Sequence, residues 1–192
     1  MRITATLGSL TLSLALLSLG GLALAQNTKT SSDQGQMASN SDSMSSGMST
    51  SDTHFVKKAA QGGMAEVELG QLALQKASNP EVKKFAQRMV DDHSKANNQL
   101  KEVASSKNIT LPESLDAKDQ ATKQKLSALS GDQFDKAYMS DMVKDHTKDV
   151  AEFQRESSSA KDSAVKDFAT QTLPTLEDHL KEAKEIAPKV TK

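Results

Sequence analysis

The chain has no cysteine and no tryptophan. That removes disulfides, thiolate catalysis and Cys-ligated zinc or iron–sulfur centres together, so any metal site must be built from His, Asp, Glu or Met. Aromatics stop at five Phe and one Tyr, and the net charge is only −1 with both signs mixed throughout. Neither a basic face for nucleic acid or anionic membrane nor a row of stacking rings is present, so nucleic acid is excluded as a partner. The four prolines fall where helices are expected to begin (Pro80), break (Pro112), kink (Pro174) or end (Pro188).

What is present begins with a targeting signal. Arg2 precedes a Leu-rich stretch from Leu7 to Leu24, and Ala23-Leu24-Ala25 offers the small-x-small pattern of a signal-peptidase site. Residues 1–25 are therefore expected to be a signal peptide, cleaved to leave Gln26 first and no membrane-spanning segment. The protein is then exported: periplasmic, outer-membrane-associated or secreted. Residues 26–52 are rich in Ser, Asn, Thr and Gly with almost no branched apolar side chain, which suits a disordered linker. Met37, Met44 and Met48 lie in it; thioethers can bind copper(I), but at this loose spacing a plain tether is the simpler reading.

Residues 53–188 carry helical periodicity and one domain's worth of core. Helix A, about Thr53 to Ala77, places Phe55, Ala59, Glu66, Leu69 and Ala73 on one stripe, so Glu66 is buried while Glu68 is solvated. Its glycines Gly62, Gly63 and Gly70 each cost about 1 kcal/mol against Ala and imply close approach of a neighbouring helix. Asn79-Pro80-Glu81 starts helix B, which must fold back on A and carries Val82, Phe85, Met89, His93, Ala96 and Leu100 on its stripe. A long connection, with a short helix near Asp116 to Leu129, leads to helix C, whose stripe is Met139, Val143, His146, Val150 and Phe153. The serines at 157–159 mark a turn into helix D, about Ala164 to Ala187, where Val165, Phe168, Thr172, Leu176, His179 and Ala183 share a face. Two hairpins joined by one long crossover is ferritin-like wiring: an all-α, antiparallel four-helix bundle with a short extra helix in the crossover.

Two segments, Met89-Val90-Asp91-Asp92-His93 and Met142-Val143-Lys144-Asp145-His146, repeat one another, and Asp178-His179 adds a third Asp-His step. Val82-Lys83-Lys84-Phe85-Ala86 likewise resembles Val165-Lys166-Asp167-Phe168-Ala169. Treated as pseudo-repeats, the hairpins pair Glu66 with His146 and His93 with His179 about an approximate two-fold axis. One carboxylate and three imidazoles in core stripes need partners, since each unpaired buried polar group costs about 1–3 kcal/mol. They could form a structural hydrogen-bonded network, or a divalent-metal site of Glu66, His93, His146 and His179 suited to zinc, copper or iron. An enzyme would need an open coordination position or a nucleophile besides, and the sequence displays neither. Each Asp points about 100° away from its adjacent His and cannot orient it, though it could bond to a histidine on another helix.

Phe55, the run GGMAEVELGQLA from Gly62 to Ala73, Val82 to His93, Phe134-Asp135-Lys136-Ala137-Tyr138 through His146, and Leu173-Pro174 with His179-Leu180 together resemble the family known as domain of unknown function 4142. The resemblance covers about Phe55 to Ala187. It implies a ferritin-like bundle in exported bacterial proteins, often labelled outer-membrane proteins, with no established reaction. Nothing in the chain alternates like the strands of a transmembrane barrel. The Glu-x-x-His motif of di-iron bundles is missing, because Val90, Val143 and Leu176 stand three residues before the histidines. The alternative to metal binding is a non-catalytic envelope or stress-associated interaction protein with a structural His/Glu core.

Overall fold

The computed structural model describes residues 48–191; the expected signal peptide and most of the expected linker, with Met37 and Met44, lie outside them. Five helices follow in order: α1 Thr50–Lys76, α2 Pro80–Ser106, α3 Ala117–Ser127, α4 Gly131–Ser159 and α5 Ser163–Val190. This is the ferritin-like, all-α four-helix bundle with one long crossover carrying a short extra helix, here α3. No helix among the described residues is long and apolar enough to cross a membrane.

Local chemistry accounts for the helix limits. Asn79 caps α2 through a 2.8 Å bond from the Glu81 N–H, with Pro80 in the first turn. Asn108, at φ 55°, takes the left-handed conformation that closes α2, and Gly131, at φ 58°, does the same where α4 begins. Three expected limits are corrected. Thr50 to Asp52, assigned to the linker, are helical, because Ser49 caps the Asp52 N–H at 3.1 Å and the buried Asp52 is anchored elsewhere in the bundle. Ser157 to Ser159 are also helical rather than a turn, since their hydroxyls bond back to the carbonyls of Gln154 and Arg155. Nor does Pro188 end α5, which continues to Val190. Proline within the last turn removes one backbone bond but has no long downstream run to disrupt.

The α1–α2 and α4–α5 hairpins pack along their lengths, α2 packs on α5, and α1 faces α4 across a looser seam that α3 overlies. Two buried aspartates lock the hairpins to each other at opposite ends. Asp135, in the first turns of α4, accepts bonds from the Ser78 and Asn79 N–H groups and the Ser78 hydroxyl at 2.6–3.2 Å, holding the α1–α2 turn. Asp52, in the first turn of α1, accepts from the Lys161 and Asp162 N–H groups at 3.0 and 2.7 Å, holding the α4–α5 turn. Hence α1 and α4 start at opposite ends, neighbours run antiparallel, and α2 and α4 are parallel across a diagonal.

Glycine permits close approach between α1 and α2. A Cβ on Gly63 would fall 2.0 Å from Asn97 Oδ1, and one on Gly70 would meet Val90 Cγ2 at 2.9 Å and the Ala86 carbonyl at 3.1 Å. Gly62 has open space instead and serves no such contact. The apolar core is in two parts. One surrounds Phe85, Met89, Phe134 and Tyr138, the other Phe55, Leu100, Phe153 and Phe168. A polar layer separates them at the middle of the bundle.

Candidate metal centre

That layer contains His93 on α2, His146 on α4 and His179 on α5, with residual exposures of 7%, 0% and 0%. Their ring centroids lie 5.3–5.7 Å apart. One ring nitrogen from each lies within 4.8 Å of the other two, and among the described residues these three make the group whose donor atoms could hold an ion. Nitrogens bound tetrahedrally at about 2.0–2.1 Å from a metal stand about 3.3 Å apart, so the rings need a closure of roughly 1.5 Å or less.

Hydrogen bonding sets which nitrogens face inward. The Met142 carbonyl can only accept, so His146 must carry its proton on Nδ1, which donates at 3.0 Å and leaves a lone pair on Nε2. The Asp92 carboxylate receives His179 Nε2–H at 2.8 Å, leaving the lone pair on Nδ1. Arg88 Nε bonds the same Asp92 oxygen at 3.3 Å, and its Nη1 reaches Glu182 at 2.9 Å. The buried nitrogens without any partner are His93 Nε2, His146 Nε2 and His179 Nδ1. The lone pairs of His146 Nε2 and His179 Nδ1 thus lie beside the unpartnered His93 Nε2, and a cation held among the three would satisfy all of them.

Burial also keeps the imidazoles neutral, the form that binds metal. Desolvation, then neighbouring His179, lowers His146 to about 4. Desolvation and the other two imidazoles hold His93 well below its ordinary value. For His179 desolvation again dominates, against the opposing pull of Asp92.

Glu66 is the expected ligand that this triad does not include. It is 4% exposed, and its Oε2 has no partner. It lines a cavity of ≈ 330 Å³ that also reaches His93 but neither His146 nor His179. Burial, then Asp149, raises its carboxyl well above the usual range. Asp149 lines the same cavity and is itself pushed up to about 7 by burial and by Asp145. Glu68 reaches Lys123 at 2.7 Å on the surface, and His54 is exposed.

The expected pairing of polar positions shifts. The same sequence interval separates Asp52 from Asp135, the helix caps Asn79 and Asp162, and Phe85 from Phe168. Carried through, it pairs Glu66 with Asp149 and leaves His93 about one turn out of step with His179. The three histidines therefore converge from three helices without two-fold symmetry. Asp149, Asp52 and Asp135 were not among the expected site or core residues, whereas the bond from Asp92 to a histidine on another helix is the cross-helix contact open to the Asp-His steps. Counting the interval from the two helix caps rather than from the repeated Asp-His steps would have found Asp149.

Fold and site together define a ferritin-like helical-bundle protein with a buried triple-histidine centre. The chain belongs to the family described as Domain of unknown function (DUF4142), whose model matches residues 36–186. No curated protein sequence matches it. Among solved structures it is similar to a DUF305 fragment from Deinococcus radiodurans (TM-score 0.66, 15% identity, covering 74% of this chain and 99% of that one). A DUF305 protein from Streptomyces coelicolor, described as secreted, gives a TM-score of 0.62 at 15% identity, covering 73% and 92%. CopM in its Cu(I)-bound form gives 0.58 at 18% identity, covering 70% and 93%. At these identities the likeness is one of fold.

Proposed function

We propose that this protein is an exported metal-binding bundle that holds one copper or zinc ion at His93, His146 and His179. The observation that carries the reading is the convergence of three buried ring nitrogens with no hydrogen-bond partner. An all-nitrogen, neutral donor set suits copper or zinc better than magnesium, calcium or manganese, which prefer oxygen. The Asp92–His179 and Met142–His146 bonds supply the outer partners that orient metal-binding imidazoles. A bundle of similar fold, CopM, is described in a Cu(I)-bound form, which favours copper of the two. Export accords with the secreted description of the Streptomyces coelicolor protein.

The experiment is elemental analysis of protein purified from its native compartment, followed by copper and zinc titration of wild type and of the His93→Ala/His146→Ala variant. Wild type should hold one equivalent and the variant none. Equal metal content in the two would leave the histidines a structural network and favour a non-catalytic envelope protein.

A further inference from the structure

We propose that the cavity between α1 and α4 is the route by which the ion enters and leaves the triad, and that Glu66 and Asp149 form a carboxylate pair that holds it on the way. The proposal rests on metal binding at the triad. Its geometry comes from the loosest seam of the bundle, where α1 faces α4 and α3 lies across the gap. Only His93 of the three ligands borders the cavity, so an ion arriving there meets His93 first and reaches His146 and His179 through it.

The charges along this path are sorted by depth. At the mouth the carboxylates are matched by lysines: Asp116 with Lys58 at 4.0 Å, Asp119 with Lys118 at 3.6 Å, and Asp145 with Lys148 at 3.1 Å. These lysines are 53%, 65% and 54% exposed. Deeper in, Glu66 and Asp149 have no ion pair among the described residues, and Glu66 Oε2 is buried without a partner beside a cavity that His93 also lines. Two carboxyls from opposite walls can bind a cation jointly with water, and can give it up, because oxygen donors compete poorly with three imidazoles for copper or zinc. The two occupy equivalent positions in the two hairpins, so each wall contributes one.

The test uses the full mature chain. Zn²⁺ exchange against a chromophoric chelator is followed by stopped flow in wild type and in Glu66→Gln/Asp149→Asn, with circular dichroism confirming the helical fold. Uptake and release should both slow by about tenfold or more, because an amide cannot shed a proton to ligate the passing ion as a carboxyl can, while affinity stays within about threefold. Unchanged rates would overturn the route. Weaker affinity with faster release would overturn it too, by making Glu66 a ligand of the final site. A second arm needs no triad: in His93→Ala/His146→Ala, Mn²⁺ should broaden the amide resonances of Glu66 and Asp149, and the broadening should vanish when both carboxyls are replaced. No broadening overturns the carboxylate pair whether or not the triad binds. Broadening together with a wild type that takes up no Zn²⁺ or copper overturns the triad reading, and the route with it.

Discussion

Asp92 on α2 accepts the Nε2–H of His179 on α5 at 2.8 Å, and the same carboxylate oxygen is held by Arg88 at 3.3 Å. A surface guanidinium thus fixes a carboxylate, which fixes the tautomer of a buried imidazole, which turns its free lone pair toward the triad. Replacing Asp92 by Ala should lower copper or zinc affinity by about 10–100-fold, the usual cost of losing such an outer partner, while one equivalent still binds at saturation. Isothermal titration measures both. Asp178→Ala, which removes only an exposed partner of Arg88 at 3.6 Å, should leave affinity unchanged.

The two end clamps make a stability prediction. Asp135→Ala strands the N–H groups of Ser78 and Asn79, and Asp52→Ala those of Lys161 and Asp162. Each should cost about 1–3 kcal/mol, since a buried carboxyl acceptor bonded to two part-buried N–H donors is lost. The clamps sit at opposite ends and share no partner, so the double variant should add to within about 0.5 kcal/mol. Urea unfolding curves provide the test.

Glycine substitutions along α1 should rank by what each new Cβ meets. Gly62→Ala meets nothing within 4 Å and should stabilise by up to about 1 kcal/mol through helix propensity. Gly70→Ala meets the Ala86 backbone at 3.1 Å and Val90 at 2.9 Å, and should destabilise by about 1–3 kcal/mol. Gly63→Ala falls between them, because the Asn97 side chain it displaces is only half-buried and can swing out.

Two sets of groups oppose each other in the pH dependence of the metal-free protein. His146, lowered to about 4, is neutral when folded, whereas the unfolded chain takes up a proton near 6.5. Its contribution is present above about 6.5 and is lost as pH falls toward 4. Asp149, raised to about 7, does the reverse: the unfolded chain ionises near 3.8 while the folded form stays protonated, so stability falls as pH rises toward 7. The stability gained by Asp149→Asn over wild type should grow steadily from pH 4 to 7. A gain independent of pH in chemical denaturation would contradict this.

Metal should stabilise the fold by mass action. At 100 times the dissociation constant the gain is about 2.7 kcal/mol, readable as a rise in Tm. The rise should disappear in His93→Ala/His146→Ala and should shrink below pH 5, where protons compete for the imidazoles.

Much of this was legible one helix at a time. The stripes of α2, α4 and α5 carried His93, His146 and His179 inward, and the α1 stripe did the same for Glu66, because a period of 3.6 residues is a local property of the chain. Asn79 announced the start of α2 for the same reason. Helix limits were less legible where a distant group decides them: Asp52 belongs to α1 because it anchors the turn beyond α4, and no local pattern records that contact.

The sequence by itself determined the number of long helices, their wiring and the burial of three imidazoles and one carboxylate, since each follows from spacing and capping within a segment. Tertiary structure alone decided that the histidines meet, that Glu66 stands apart from them facing a cavity with Asp149, and that Asp92 rather than a residue beside it orients His179. Those outcomes depend on the rotation and axial offset of each helix against its neighbours. Side-chain packing and the end clamps set that offset, and a shift of one turn, about 5.4 Å, is enough to exchange one partner for another.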